Sequence, residues 1–148
     1  MNIRRNLLAA LLVIAPLAVF AQQQTPYVAP PWTYKTKQLS RAEIDALLAK
    51  PSQVVVIDVR RPDEVVSKGS FPVFLNIQIK ELENSLAYIP KDREIITVSN
   101  RAHRAGAAAD LLTSKGFKVA GAAGSQDYED QGGKITRITP PPPKTAQQ

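Results

Sequence analysis

The residues best placed to do chemistry lie in one short basic loop between an apolar run and an alanine-rich run. The six residues of the loop are Ser99, Asn100, Arg101, Ala102, His103 and Arg104. No acidic residue lies between Glu94 and Asp110. The apolar run is typical of a buried strand and the alanine-rich run of a helix. Such a turn leaves free N–H groups and the positive end of a helix dipole together, so the pattern predicts a site for a small anion.

Ser99 occupies the position at which a reactive nucleophile would be expected. A serine hydroxyl needs a general base within hydrogen-bond reach, and that base needs an orienting group. His103 is the only histidine of the chain, and no acid that would orient it is apparent nearby. We interpret His103 as a solvent-facing loop residue, with contact to a ligand as the alternative. A Ser99–His103 hydrolase is therefore the weaker hypothesis.

The composition excludes several kinds of site. The 148 residues include no cysteine, so disulfides, thiolate metal sites and thiol catalysis are ruled out. A single histidine excludes a multi-histidine metal centre, and we expect neither a metal nor another cofactor. Aromatic residues make up only 6% of the chain, and they are too scattered for a surface that stacks nucleic-acid bases.

The N-terminal segment is typical of a signal peptide over residues 1–21. Two arginines precede a run of apolar residues, and Val19 and Ala21 suit the small-residue positions of a cleavage site before Gln22. The alternative, a retained membrane anchor, is disfavoured because the run is short and contains Pro16. The adjacent arginines suggest a twin-arginine route only weakly. We expect an exported protein, periplasmic or secreted, with no stable membrane anchor and no nucleic-acid partner.

Apolar runs that alternate with helical patterns predict an α/β fold. The strands are expected near residues 54–57, 74–77, 94–98 and 117–120, with an edge segment at 135–138. The β-branched run from Val54 to Ile57 does not alternate with polar residues, which is typical of a strand buried on both faces of a parallel sheet. We therefore expect a three-layer α/β/α domain over residues 38–138, with a mainly parallel sheet of about five strands.

Helix signals fill the intervals between these strands. Ser40 and Glu43 match a capping box, and Pro62 suits the first position of a short helix. Further helices are expected at residues 80–88, 104–114 and 126–131, and residues 121–125 are expected to form a loop of small residues.

Two proline-containing segments flank the predicted domain. Residues 22–37 are expected to form a linker or extended arm, and residues 139–148 a proline-rich tail. Trp32 and Tyr34 either hold the end of the arm on the domain or are incidental aromatic residues in a free tail.

In aggregate these motifs resemble those of a single-domain rhodanese, a member of a sulfurtransferase family. The matching segments are Val56–Arg60, Asn76-Ile77, Ile95–Arg104, Gly116-Phe117 and the Gly124, Tyr128 and Gly132 pattern. The active loop of that family begins with a cysteine and ends five positions later with an arginine, and Ser99 and Arg104 occupy these places. Phosphatases of the same fold carry a loop one residue longer, so this loop has the length of the sulfur-handling branch.

The resemblance implies sulfur transfer through a cysteine persulfide, and Ser99 does not support that step. A thiolate must attack the sulfane sulfur of a donor such as thiosulfate, whereas a serine hydroxyl is far less acidic. We therefore expect a catalytically inactive, periplasmic rhodanese-like module that binds an oxyanion, a sulfur-bearing anion or a partner protein at the loop. One alternative is an active sulfurtransferase despite Ser99. Another is a structural interaction domain that uses Trp32, Tyr34 and the tail.

The charged residues of this region have different expected roles. Arg101 is expected to be exposed and free to meet an anion, whereas Arg104 either contacts the anion or braces the loop by bonding carbonyl groups. Asp58 and Arg60 follow a strand, where α/β proteins place functional groups. They are expected to form a supporting charge pair, with ligand contact as the alternative. Ser70 stands where the family often has a histidine, which indicates a loop wall that differs from the catalytic pattern.

Overall fold

The computed structural model describes residues 27–139, so the predicted signal peptide and residues 140–148 of the predicted tail lie outside the described residues. The regular elements are α1 (Arg41–Leu48), β1 (Val54–Asp58), α2 (Pro62–Lys68), β2 (Leu75–Asn76), β3 (Glu94–Ser99), α3 (His103–Ser114), β4 (Val119–Gly124) and α4 (Ser125–Asp130). Two short 3₁₀-helices, Ile79–Glu81 and Glu83–Tyr88, connect β2 to β3. Within residues 27–139, no helix is long and apolar enough to cross a membrane.

The strands form one parallel sheet in the order β2-β1-β3-β4. β1 pairs with β3 along its whole length, from Val54 opposite Glu94 to Asp58 opposite Val98. The sheet therefore has four strands where about five were expected. The segment expected at residues 135–138 contributes only one antiparallel bridge, between Thr136 and Ser70.

Both faces of the sheet are covered, which confirms the α/β fold. Alternate residues of β1 and β3 point to opposite faces. On one face Val54, Val56, Ile96 and Val98 pack with Ile44 of α1 and Tyr128 of α4. On the other face, Leu112 of α3 packs with Val55, Ile57 and Ile95. Leu82, which lies between the two 3₁₀-helices, belongs to the same cluster. Because β1 and β3 are buried on both sides, their runs of branched residues need no polar alternation.

β4 passes through residues 121–124, where the sequence was expected to form a loop. The small residues are needed there because neighbouring elements approach closely. A Cβ at Gly121 would lie 2.6 Å from Cγ of Leu39, and Ala122 packs against Ala105 and Ala109 of α3. Packing on both faces thus overrides the low strand propensity of glycine and alanine.

The helix expected at residues 80–88 is replaced by the two 3₁₀-helices. Their turns close three residues apart, as in the bonds from Ser85 N–H to Leu82 C=O and from Ile89 N–H to Leu86 C=O. Pro90 follows at once and disfavours helical geometry at Ile89, which has φ −93° and ψ 123°.

The arm that precedes α1 is packed on the domain over its described part. Trp32 and Tyr34 lie against α3, where a Cβ at Gly106 would be 2.4 Å from Cδ2 of Tyr34. The carboxylate of Asp110 on the same helix accepts hydrogen bonds from the N–H groups of Lys35 and Thr36, at 3.0 and 2.8 Å. The two aromatic residues therefore hold the arm on the domain and are not incidental residues in a free tail.

We predict that Gly106→Ala displaces the arm, because the added methyl group would overlap Tyr34 and Trp32. Trp32 is the only tryptophan of the chain, so its fluorescence emission should shift to longer wavelength as the indole gains water. Alanine is a better helix former than glycine by about 1 kcal/mol. An unchanged emission maximum together with a raised melting temperature would therefore mean that only helix propensity changed, and would contradict the prediction.

Candidate functional site

Asp58 and Arg60 form a buried ion pair at the carboxyl end of β1. Both side chains are fully inaccessible to solvent, and Arg60 donates to both carboxylate oxygens, at 2.8 and 2.5 Å. The hydroxyl of Ser70 also donates to Asp58, at 2.6 Å, and the Gly69 carbonyl accepts from Arg60. A buried charge pair is tolerated only when its remaining hydrogen-bonding groups are satisfied, and these bonds satisfy them. The pair therefore stabilises the residues around the loop from within the protein interior, and it has no exposed surface that a ligand could contact.

Hydrogen bonds continue from this pair into the loop. Arg60 donates to Oδ1 of Asn100 at 2.8 Å, and Nδ2 of Asn100 donates to Glu64 at 2.9 Å. Glu64 in turn accepts two bonds from the guanidinium of Arg104, at 2.8 and 2.6 Å. Arg104 thus braces the loop through the carboxylate of α2 and not, as one expectation had it, through backbone carbonyls. Side chains from β1, α2 and the loop form one connected network.

The main chain of the loop turns sharply into α3 at Ala102. Ala102 has φ +62° and is fully buried, a left-handed conformation that is uncommon for a residue with a Cβ. Among residues 27–139, no acceptor bonds the N–H groups of Arg101, Ala102 or Arg104. The loop therefore keeps the free donors of a helix N-terminus that the sequence predicted.

Ser99 is part of the packing and is not presented as a nucleophile. Its side chain lies at the end of β3, and the residue is 1% exposed. Its hydroxyl oxygen accepts a 3.2 Å hydrogen bond from the N–H of Ala105 and so caps the first turn of α3. In the described part of the chain, no bond joins Ser99 to His103.

His103 lies at the start of α3 and faces the arm. Its ring centroid is 5.5 Å from that of Trp32 and 5.9 Å from that of Tyr34. It is partly buried by these rings, which differs from the solvent-facing position expected. The arm therefore covers one side of the loop. A catalytic histidine needs an acidic residue that orients its imidazole, whereas the imidazole of His103 contacts two aromatic rings.

Arg101 is not free, and the expectation that it would be was wrong. Its guanidinium donates to Asp127 at 2.8 Å and to Asp130 at 2.6 Å, both on α4. These hydrogen bonds, that of Asp127 first, raise the pKa of Arg101. The ring of Tyr27 lies 4.9 Å from the guanidinium carbon on another side. Arg101 is therefore held between α4 and the arm.

An open cleft of about 440 Å³ lies between the arm and the loop. Tyr27 and Pro30 line it from the arm, and Arg101, Asp127 and Asp130 line it from the loop and α4. One guanidinium thus faces two carboxylates, and the cleft carries more negative than positive charge. The described residues hold no cluster of three acidic or histidine side chains that could bind a metal ion.

Several residues of this site lie outside the predicted loop. Glu64, Asp127 and Asp130 supply the charges that neutralise it, and Tyr27 covers Arg101. A basic loop at the edge of a buried sheet needs acidic residues nearby to neutralise it. The basic character of the loop was therefore the one signal in the sequence that such acidic partners exist. The sequence did not indicate which acids supply them, because 26 residues separate Arg101 from Asp127, 29 separate it from Asp130, and 40 separate Arg104 from Glu64.

A parallel sheet covered by helices on both faces is also found in proteins of known family. The sequence model of the rhodanese-like domain family matches residues 40–125. The chain therefore belongs to the rhodanese-like domain family. No protein of curated function matches its sequence significantly.

Solved structures agree with this assignment. CoADR-RHD of Bacillus anthracis is 31% identical with a TM-score of 0.55, over 64% of this chain and 16% of that protein. A thiosulfate sulfurtransferase from Pseudomonas aeruginosa is 25% identical with a TM-score of 0.57, over 69% of this chain and 20% of that one. A rhodanese-related protein from Thermoplasma volcanium, 24% identical with a TM-score of 0.58, covers 70% of this chain and 98% of its own length and shows the shared fold. This chain thus spans less than a fifth of the Bacillus anthracis protein.

We predict that the Glu64 carboxyl titrates far below an ordinary glutamate. Hydrogen bonds from Arg104 lower its pKa from 4.5 to about 2. The ionised carboxylate is the bonded form, so the stability it contributes is present above pH 4.5 and is lost as the pH falls towards 2. A pH titration followed by carboxyl NMR should show this, and Arg104→Ala should move the Glu64 pKa back towards 4.5.

Glu43 is the matched control for this titration. Its pKa is also lowered to about 2, but its main cause is Lys37. It should therefore not respond to Arg104→Ala. A Glu64 titration near 4.5 in the unmodified protein would contradict the network described above.

Proposed function

We propose that this protein is an exported rhodanese-like module that does not transfer sulfur and that binds an anionic group at the loop from Ser99 to Arg104. The observation that carries the proposal is that Ser99 is buried and that its hydroxyl is engaged in a hydrogen bond. Its hydroxyl accepts the Ala105 N–H in the first turn of α3, while the N–H groups of Arg101, Ala102 and Arg104 are left without an acceptor among residues 27–139. The site thus retains the means to hold an anion but lacks a group that can attack one.

The absence of sulfur transfer follows from the chemistry of the residues. Persulfide formation requires a thiolate that displaces sulfite from thiosulfate and keeps the sulfane sulfur. The chain contains no cysteine, and the buried Ser99 hydroxyl has no base in bonding distance among residues 27–139. Both enzymatic alternatives, sulfur transfer through Ser99 and hydrolysis by Ser99 and His103, lack support from this arrangement.

Anion binding is supported by the loop and opposed by α4. A ligand would find the N–H groups of Arg101, Ala102 and Arg104 without other acceptors. The carboxylate of Asp127 already neutralises Arg101, however, and lies close to the loop. A Cβ placed on Gly124 would lie 2.1 Å from Oδ2 of Asp127 and 3.0 Å from N of Ala102. Asp127 therefore competes with an external anion for the Arg101 guanidinium and repels an anion that approaches the free N–H groups.

Export is supported by residues 1–21, with cleavage between Ala21 and Gln22. The remaining chain would carry a net charge of +4, because cleavage removes two arginines and no acid. The alternative of an interaction domain that uses Trp32 and Tyr34 finds less support. Both rings pack on α3 and on each other, 4.9 Å between centroids, and are not presented to a partner.

We predict that Ser99→Cys acquires sulfur transfer from thiosulfate and that the unmodified protein has none. The new thiolate would lie beside the free N–H groups of the loop, which favour its ionised form. Mass spectrometry after incubation with thiosulfate should detect one added sulfur atom, and a thiosulfate:cyanide assay should detect turnover. Ser99→Ala is the matched control and should remain inactive. Turnover by the unmodified protein would contradict the proposal.

We predict that Asp127→Asn combined with Asp130→Asn strengthens anion binding about tenfold, since each carboxylate charge, one partly buried and one exposed, opposes the anion by roughly 0.7 kcal/mol. Calorimetric titrations with thiosulfate, sulfite, sulfate and phosphate at low salt would measure it. Asp92→Asn, which removes a charge from the turn before β3, should leave affinity unchanged, and Arg101→Ala should abolish the gain. Equal anion affinities in the double variant and the unmodified protein would refute a binding site at this loop.

A further inference from the structure

β1 lacks a partner strand along part of one edge. It runs from Val54 to Asp58, but β2 pairs only with its last two residues, Ile57 and Asp58. β2 is also the last strand of the sheet on that side. The edge beside Val54–Val56 is therefore not paired with any strand of the described chain.

Main-chain groups of β1 face this open edge. Gln53 C=O accepts from Glu94 N–H, and Val59 N–H donates to Val98 C=O, so the odd-numbered residues bond to β3. Successive residues of a strand direct their N–H and C=O groups to opposite edges. The N–H and C=O groups of Val54 and the N–H of Val56 therefore face away from β3, towards the edge that β2 does not reach.

An apolar groove of about 320 Å³ runs along this edge. Val54, Val55 and Val56 all line it, although Val54 and Val56 belong to the core on one face of the sheet and Val55 to the core on the other. A groove over one face would be lined by alternate residues only. The groove therefore lies along the strand edge itself, where a further strand would be placed.

The walls of the groove are apolar, and its only charged lining residue is Arg93. Val73 and Leu75 on its rim are 75% and 42% exposed, and apolar exposure that is contiguous with a groove is typical of interaction sites. Among residues 27–139, Arg93 forms no ion pair. The groove thus combines open main-chain groups, apolar walls and one unneutralised cation.

We propose that this groove binds an extended, mainly apolar segment of a partner protein, which adds a short strand beside Val54–Val56 and places a carboxylate near Arg93. Strand addition supplies the missing main-chain bonds, and side chains of the segment fill the groove. The prolines at residues 140–143 have no N–H group, so the C-terminal tail does not suit such a ladder. Pairing of two copies would set two concave grooves face to face and leave both unfilled.

The test uses a capped seven-residue peptide of alternating valine and threonine with one terminal glutamate, and a second peptide with lysine in its place. Amide exchange measured by NMR should slow about tenfold at Val54 and Val56 on peptide binding, with little change at Val55 and Ile57. The glutamate peptide should bind about two- to fivefold more tightly, the size of an exposed ion pair. Arg93→Glu should reverse this order.

Val73→Asp should weaken peptide binding, and Val66→Asp, at an exposed position of α2 outside the groove, is its matched control. Failure of both peptides to slow exchange at Val54 and Val56 would overturn the proposal. So would self-association in sedimentation experiments that Val73→Asp abolishes, since the occupant would then be a second copy. A large gain in peptide affinity on deletion of residues 140–148 would identify the tail as the occupant and would also overturn it.

Discussion

The buried ion pair between Asp58 and Arg60 is the interaction on which the site depends. It joins the end of β1 to the segment after α2, through Ser70 and Gly69, and to the loop, through Asn100. Loss of either charge would leave the other buried without a partner, at a cost of about 3–5 kcal/mol. Because Asn100 and Glu64 extend the same network to Arg104, the shape of the loop depends on an ion pair that solvent does not reach.

Every arginine of the site has a fixed acidic partner. Arg60 pairs with Asp58, Arg104 with Glu64, and Arg101 with Asp127 and Asp130. In a loop built for sulfur transfer, donors and cations would be directed at a reacting thiolate and its anionic donor. Here the same positive charges hold α2 and α4 against the loop.

The sequence predicted the elements that depend on residues close together in the chain, such as helix caps and runs of branched residues. The capping box at Ser40 and Glu43 and the branched run of β1 lie as expected. The strand expected at residues 117–120 is present, but its continuation through residues 121–124 was missed, because the small residues there are required by close contact with Leu39 and α3. The same reason applies to Arg101. A basic loop predicts that counter-charges exist, but only the fold determines that α4 provides them.

The left-handed Ala102 has a consequence for affinity. Such a conformation costs an alanine about 1–2 kcal/mol, so it persists only because the surrounding contacts leave no alternative. The loop is therefore preorganised, and an anion that binds it would lose little free energy to ordering of the main chain. Selectivity at this site would then come from the geometry of a rigid cradle, with weak adaptation to ligands of different size.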